Sequence, residues 1–198
     1  MASASAEKST TVTGLYQTKI VADMLLTDEV LTRSQRGMTV STKAPINPRA
    51  FDMIVIPGGY KAVARLDRNK LVTELLRGTA GWIGAVGAAP CMILRHHRLL
   101  QGKKATCSDD LAKKWSLFGD KDGTEWLNQR VVVSDGHSPN VVTAQGAGTS
   151  IEFALKLVEV LSGLKKAQEV EAQLNHVGAE YLDADFAPPP PTPTHGDL

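Results

Sequence analysis

Short apolar runs alternate with amphipathic segments along most of this 198-residue chain. The run FDMIVIPGG at 51–59 is dense in β-branched residues and ends in Pro-Gly-Gly. A strand that is apolar at successive positions is buried on both faces, which is typical of a parallel sheet covered by helices. Further strands are predicted at 81–86, 103–107, 130–136 and 140–146. The last two flank Asp-Gly and Ser-Pro-Asn, which indicates a hairpin.

Helices are predicted at 66–80, 89–100 and 150–163. In the first, leucines recur at helical spacing after Asp67. In the last, Phe153, Leu157 and Leu161 form one apolar stripe that Gly163 ends. Alternating strands and helices with buried strands predict an α/β domain with a doubly wound, mostly parallel sheet sandwiched by helices.

The two ends of the chain differ from this regular part. Residues 19–25 predict a strand or strand-turn, and 27–50 reads as an irregular insertion with a short strand at 37–42. The domain is expected to cover 1–181, and the proline-rich segment 182–198 is expected to be a disordered tail. A plain solvated tail is favoured over a ligand for an SH3-type or WW-type domain.

The composition narrows the function classes. The chain carries 22 basic and 21 acidic residues, which gives no electrostatic footprint for nucleic acid. The apolar run 82–94 is shorter than the roughly 18 residues that cross a bilayer, so no membrane partner is expected. Cys91 and Cys107 cannot support a disulfide framework and have no metal-ligand spacing, so a reducing, cytoplasmic location without metal or cofactor is predicted.

Three motifs in order resemble the ThiJ/PfpI family of the class I glutamine amidotransferase-like superfamily. They are FDMIVIPGGYKAVARL at 51–66, GWIGAVGAAPCMILRHHRLLQGKKATC at 81–107, and RVVVSDGHSPNVVTAQGAGTSIEFALKLVEVLSG at 130–163. The resemblance implies a flavodoxin-like fold, a homodimer, and thiol chemistry such as glyoxalase or deglycase activity on reactive carbonyls. Oxidative-stress sensing and chaperone-like behaviour are also implied.

That chemistry requires a cysteine on a tight strand-to-helix elbow, where a helix N-terminus favours the thiolate. A glutamate from the first strand and, in many members, a histidine assist it. Here the elbow reads Val-Gly-Ala-Ala-Pro, so the cysteine position is Gly87, and the histidine position is placed at Thr124. The family's first strand with its glutamate is not found, and nothing supports Glu7 as a replacement. The turn that would hold an oxyanion maps to Gly58, Gly59 and Ala88.

Other cysteines and histidines of the chain could in principle replace the missing groups. Cys91 and Cys107 are expected to be structural, with a redox role as the alternative. His96 and His97 lie in a last helical turn, where cations suit the helix dipole. His137 is expected to be exposed in the hairpin turn, and His176 has no predicted role.

Three hypotheses follow. The favoured one is a catalytically degenerate family member with a stress-response, binding or chaperone-like role, and with a small carbonyl compound or a protein client as its partner. The second is an active thiol enzyme that uses Cys91 or Cys107. The third is a truncated, poorly folded product, because loss of a central strand leaves buried backbone groups unpaired at about 1–3 kcal/mol each.

Overall fold

The computed structural model describes residues 4–6, 9–13, 17–26, 31–33, 39–41, 48–118 and 122–174. The chain divides into two compact units, Met1–Leu157 and Val158–Leu198. The predicted tail and its boundary at 181/182 lie outside the described residues, as do Glu7 and His176. None of the helices in the described ranges is long and apolar enough to cross a bilayer.

A four-stranded sheet forms the centre of the first unit. The strands of the described ranges are β1 (Ala4–Ser5), β2 (Thr11–Thr13), β3 (Lys19–Val21), β4 (Met24–Leu25), β5 (Leu31–Arg33), β6 (Thr39–Ser41), β7 (Met53–Ile56), β8 (Trp82–Val86), β9 (Lys104–Ala105), β10 (Glu125–Trp126), β11 (Val131–Ser134) and β12 (Asn140–Ala144). The central sheet has the order β11-β12-β8-β7. β7, β8 and β12 run parallel, and β11 pairs antiparallel with β12, which confirms the predicted hairpin and the mostly parallel sheet.

The remaining strands form two-stranded pairs. β1 pairs with β4 and β9 with β10 in parallel, while β2 pairs with β3 and β5 with β6 in antiparallel fashion. The strands predicted near 19–25 and 37–42 are therefore present as β3, β4 and β6.

Helices pack on both faces of the sheet. The helices of the described ranges are α1 (Tyr60–Leu66), α2 (Lys70–Gly78), a π-helix (Pro90–Leu94), α3 (Asp109–Phe118), α4 (Ser150–Ser162) and α5 (Leu164–Gln173). Ile83 and Ala85 of β8 belong to one core cluster with residues of α1, α2 and the π-helix. On the other face, the glycine between them, Gly84, lies against Phe153 and Leu157 of α4. The sandwiched sheet is thereby confirmed.

The helix predicted at 66–80 is present as α2, which begins later than predicted. Asp67 ends α1, and α2 begins after Asn69, whose side chain accepts hydrogen bonds from the amides of Leu71 and Val72. Asn is among the best N-cap residues because its carbonyl oxygen satisfies amides that the first helical turn leaves unbonded. The chain therefore restarts a helix at Asn69 rather than continuing through Asp67.

Two predictions of burial are also wrong. Val55 of β7 is 37% exposed, because β7 lies at the end of the described sheet order, whereas β8 and β12 lie inside it and are buried along most of their length. Leu161 is 47% exposed, although Phe153 and Leu157 of the same stripe are buried.

The predicted helix at 89–100 is confirmed in part. Its first turn is a π-helix in which the amide of Arg95 donates to the carbonyl of Pro90. The amide of His97 donates to the carbonyl of Ile93, which is the ordinary α-helical spacing of four residues. Arg98 ends the helical conformation, because its φ is 60°.

Candidate functional site

Three turns meet at the carboxyl ends of the parallel strands, which is where ligands bind in open α/β sheets. β7 leads into Gly58, β8 into Gly87 and β12 into Gln145. The amide of Gly87 donates to the carbonyl of Ala144 over 2.9 Å. A Cβ atom placed on Gly87 would lie 3.6 Å from Cα of Gly58 and 4.0 Å from the carbonyl oxygen of Gln145.

Gly87 has the left-handed backbone conformation of an elbow residue. It is buried and its φ is +67°, in the left-handed region that residues with a Cβ atom adopt at a cost. Apart from Gly87 and its two neighbours in the chain, no atom lies closer than 3.6 Å to the position that a Cβ atom of residue 87 would take. The elbow shape is therefore present with room for a side chain, and the chain places no sulfur there.

Gly58 approaches the elbow too closely for any other residue. A Cβ atom on Gly58 would lie 2.9 Å from the carbonyl oxygen of Val86, which is backbone and cannot move aside cheaply. Gly59 has φ +96° and is the N-cap of α1. Ala88, the third residue of the predicted oxyanion turn, is 3% exposed and directly follows Gly87. The structure thus brings Gly58 beside Gly87, as the resemblance implies.

Ser108, rather than Thr124, lies beside the elbow. The amide of Ser108 donates to the carbonyl of Gly87 over 3.0 Å. Thr124 is buried, and its hydroxyl donates to the carbonyl of Leu100. The next residue, Glu125, pairs with Lys104, so Thr124 lies at the amino end of β9 while Ser108 follows its carboxyl end. The structure therefore does not bring Thr124, the predicted histidine position, to the elbow.

Tyr60 and Asp110 form a polar pair near Ser108. The Tyr60 hydroxyl donates a hydrogen bond to Oδ2 of Asp110. This bond raises the pKa of Tyr60, an effect that the Ser108 hydroxyl partly offsets, and it lowers the pKa of Asp110. Tyr60 begins α1 directly after Gly59, and Asp110 lies in the first turn of α3, so the pair links the turns after β7 and β9.

The two cysteines are bonded to each other, a pairing that the sequence analysis did not predict. Cys91 of the π-helix and Cys107 after β9 form a disulfide with a Cα–Cα distance of 6.2 Å. This distance lies within the usual range for disulfides, because the helix after Gly87 packs directly against the strand that leads to Ser108. Both residues are buried, at 2% and 0% exposure. Neither sulfur is a free thiol in this state.

The Gly-rich turn after β12 is held by its own side chains. The Thr149 hydroxyl donates to the carbonyl of Gly146 and accepts from its amide. Arg130 donates to the carbonyl of Gly148 over 2.6 Å and to Glu152 of α4. These bonds fix the turn against α4. His137 is exposed, as predicted.

Tyr60, Ser108 and Asp110 were not among the predicted site residues. One signal was available for two of them, because Ser-Asp-Asp is a common helix start. The carbonyl of Ser108 accepts from Leu111 and Ala112 at the start of α3, and Asp110 lies in its first turn. Tyr60 has no comparable signal beyond its position after Pro-Gly-Gly.

Comparison with known proteins identifies the origin of this arrangement. The DJ-1/PfpI family matches residues 3–160. Glutathione-independent glyoxalase DJR-1.2 of Caenorhabditis elegans is 34% identical over 128 residues, which is 63% of each chain. Protein dj-1beta of Drosophila melanogaster is 37% identical over 123 residues, 61% of each chain. The chain thus spans less than two thirds of the length of these relatives.

Solved structures give the same result for the fold. Oxidized Toxoplasma gondii DJ-1 superimposes with a TM-score of 0.71 at 27% identity, over 89% of this chain and 83% of that one. Drosophila melanogaster DJ-1beta gives a TM-score of 0.65 at 28% identity, over 85% and 78%. These likenesses confirm the flavodoxin-like fold.

Proposed function

Because the chain belongs to the DJ-1/PfpI family, we propose that it is a non-catalytic member that binds a small carbonyl compound at the elbow. Gly87 carries the proposal. It has the elbow's backbone shape and its place between the turns after β7 and β12, but no side chain that could attack a carbonyl. Covalent catalysis needs an activated nucleophile at that point.

The two cysteines do not replace it in the described state. Cys91 and Cys107 are buried and bonded to each other, so neither offers a thiolate. The second hypothesis, a thiol enzyme with a relocated cysteine, would need this bond to be reduced before any reaction.

Binding has support of its own. Within the described ranges, the amides of Gly58, Gly59 and Ala88 donate no backbone hydrogen bond. Backbone amides of this kind are the donors that hold a carbonyl or oxyanion oxygen in related chemistry. A ligand oxygen at this turn would lie beside Gly87.

The catalytic part of the proposal is tested with methylglyoxal. The protein is incubated with it, with and without reductant, and the loss of methylglyoxal and the formation of lactate are measured, with the Caenorhabditis elegans relative as positive control. We expect no conversion above background. Conversion that a Cys91→Ala change abolishes would overturn the proposal in favour of the thiol enzyme.

The same assay applied to Gly87→Cys distinguishes two reasons for inactivity. Either only the nucleophilic sulfur is missing, or the groups that must assist it are missing as well. Gly87→Ala is the matched control, because it carries the same backbone cost without a thiol. We expect both variants to remain inactive, since a cysteine alone lacks its glutamate and histidine partners. Activity in Gly87→Cys alone would show that the site is otherwise intact.

The binding part is tested with hydroxyacetone, a carbonyl compound that lacks the reactive dicarbonyl. In a titration followed by NMR, the amide signals of Gly58, Gly59 and Ala88 should shift in a saturable way, while that of exposed Gly136 in the hairpin turn should not. Unchanged signals at all three would contradict binding at the elbow.

The remaining expectations stay predictions. They comprise the homodimer, the cytoplasmic location, a protein client and the tail-binding partner. The third hypothesis, a poorly folded product, is decided by circular dichroism, since a sharp cooperative thermal transition would exclude it.

A further inference from the structure

Asp67, His96 and His97 form a compact cluster apart from the elbow. One Oδ1 atom of Asp67 lies 2.8 Å from Nδ1 of His96 and 3.1 Å from Nε2 of His97. The three candidate ligand atoms all lie within 4.8 Å of one another. Neighbouring residues on a helix point in different directions. The two rings converge here because His96 uses the nitrogen near its backbone and His97 the nitrogen at the far end of its ring.

His97 is unsatisfied in this cluster. Its side chain is 8% exposed. Its Nε2 is buried and has no partner in hydrogen-bond geometry among the described residues, although the carboxylate is close. Buried polar atoms are almost always hydrogen-bonded, so this nitrogen requires an explanation. A metal ion between this nitrogen and the shared carboxylate would satisfy both groups.

The donor set of two imidazoles and one carboxylate suits a divalent first-row transition metal. Zn²⁺ binds imidazole nitrogen at about 2.0–2.1 Å and carboxylate oxygen at about 2.0–2.2 Å, which small movements of these three side chains would allow. We propose that Asp67, His96 and His97 bind a divalent transition-metal ion of the Zn²⁺ type, with water in the remaining coordination position.

Entry of the ion is open from solvent. The His96 side chain is 64% exposed and that of Asp67 is 21% exposed. To bind, His96 gives up the Nδ1 proton that it shares with Asp67 and keeps one on Nε2, and it can exchange protons with water because it is exposed. His97 needs its Nε2 lone pair free, so its ring proton lies on Nδ1.

The ion would join two segments that flank the elbow. Asp67 ends α1, which begins after Gly59, and the two histidines end the helical path that begins after Gly87. A ligand that binds only the folded chain stabilises it, so the metal should raise the melting temperature.

The test uses full-length protein freed of metal by a chelator and kept without reductant, so that the cysteines stay bonded. Isothermal titration with Zn²⁺ should give one site per chain, and Mg²⁺ should give none. His96→Gln and Asp67→Asn should each weaken Zn²⁺ binding about tenfold or more. His137→Gln is the matched control, because His137 is exposed and lies in the hairpin turn.

A second readout identifies the ligands directly. The Co²⁺-loaded protein should show ligand-field bands without thiolate-to-metal charge transfer, and His96→Gln should alter those bands. Equal Zn²⁺ affinity in wild type, His96→Gln and Asp67→Asn would overturn the proposal, as would a spectrum that shows thiolate ligation. Neither result would bear on the methylglyoxal assay, so the two proposals fail independently.

Discussion

The phenol of Tyr60 donates a hydrogen bond to the carboxylate of Asp110, and this bond links α1 to α3 beside the elbow. Tyr60 is 50% exposed. Water competes for such a bond, so its net contribution to stability is small.

The Tyr60–Asp110 bond predicts a pH dependence of stability. The folded-state pKa of Asp110 is lowered, so its contribution is present above the ordinary aspartate pKa of about 4 and is lost as the pH falls through the folded value. The pKa of Tyr60 is raised, so its contribution is present below the ordinary tyrosine pKa of about 10 and is lost as the pH rises further. Tyr60→Phe should therefore lower the free energy of unfolding at neutral pH by less than about 1 kcal/mol.

Urea unfolding of wild type and Tyr60→Phe across this pH range checks the prediction. Their difference should shrink at both extremes. Asp110→Asn should resemble Tyr60→Phe, whereas Asp109→Asn, in the same helical turn, should leave the Tyr60 effect in place. A difference that is constant with pH would rule out this role for the bond.

Substitution by alanine should lower the free energy of unfolding more at Gly58 than at Gly87. Gly87→Ala places a Cβ atom at ordinary contact distance and costs only the left-handed backbone, about 1 kcal/mol. Gly58→Ala drives a Cβ atom against the carbonyl of Val86 and should cost more, about 1–3 kcal/mol. Chemical denaturation measures both, and a larger loss in Gly87→Ala would contradict the described elbow.

Thr143 holds β9 to the central sheet through a buried side chain. Its hydroxyl accepts a hydrogen bond from the amide of Thr106 over 2.9 Å, and both residues are fully buried. Thr143→Val keeps the shape but leaves that amide without a partner, which should cost about 1–3 kcal/mol. Thr143→Ser keeps the acceptor and should lose less free energy of unfolding, and an equal loss in both variants would argue against the bond.

The Cys91–Cys107 disulfide should contribute to stability through the unfolded chain. It closes a loop with a sequence separation of 16, and loops of that size correspond to about 3 kcal/mol. Reduction should therefore lower the midpoint of urea unfolding. The Cys91→Ala/Cys107→Ala double variant should be insensitive to reductant, and thiol labelling of native, unreduced wild type would show that the bond is absent.

The sequence predicts best those strands and helices whose buried positions appear as a clear pattern of apolar residues. β8 and β12 are apolar runs inside the sheet, and α4 has an apolar stripe, so their positions are predicted within a few residues. The start of α2 is predicted too early, near Asp67, because Asp67 and Asn69 are both residues that cap helices well. Their geometry, rather than their type, decides which one starts a helix.

The site was predictable only where a local motif marks it. Gly58 and Gly87 follow strands within recognisable turns, and the structure places them together. The position of Ser108 depends on the pairing of β9 with β10, which are two residues each and carry too little pattern to align. The disulfide and the Asp67 cluster depend on contacts between segments far apart in sequence, and spacing alone does not specify such contacts.

The hydrogen bond from Ser108 to Gly87 also slows the exchange of the Ser108 amide hydrogen with solvent. The amide nitrogen of Ser108 lies 3.0 Å from the carbonyl oxygen of Gly87, and the disulfide at Cys107 lies one residue before it. Exchange of the amide hydrogen with deuterium requires the segment after β9 to leave the elbow. The hydrogen–deuterium exchange rate of the Ser108 amide therefore reports how often this site opens and lets solvent reach the backbone at Gly87.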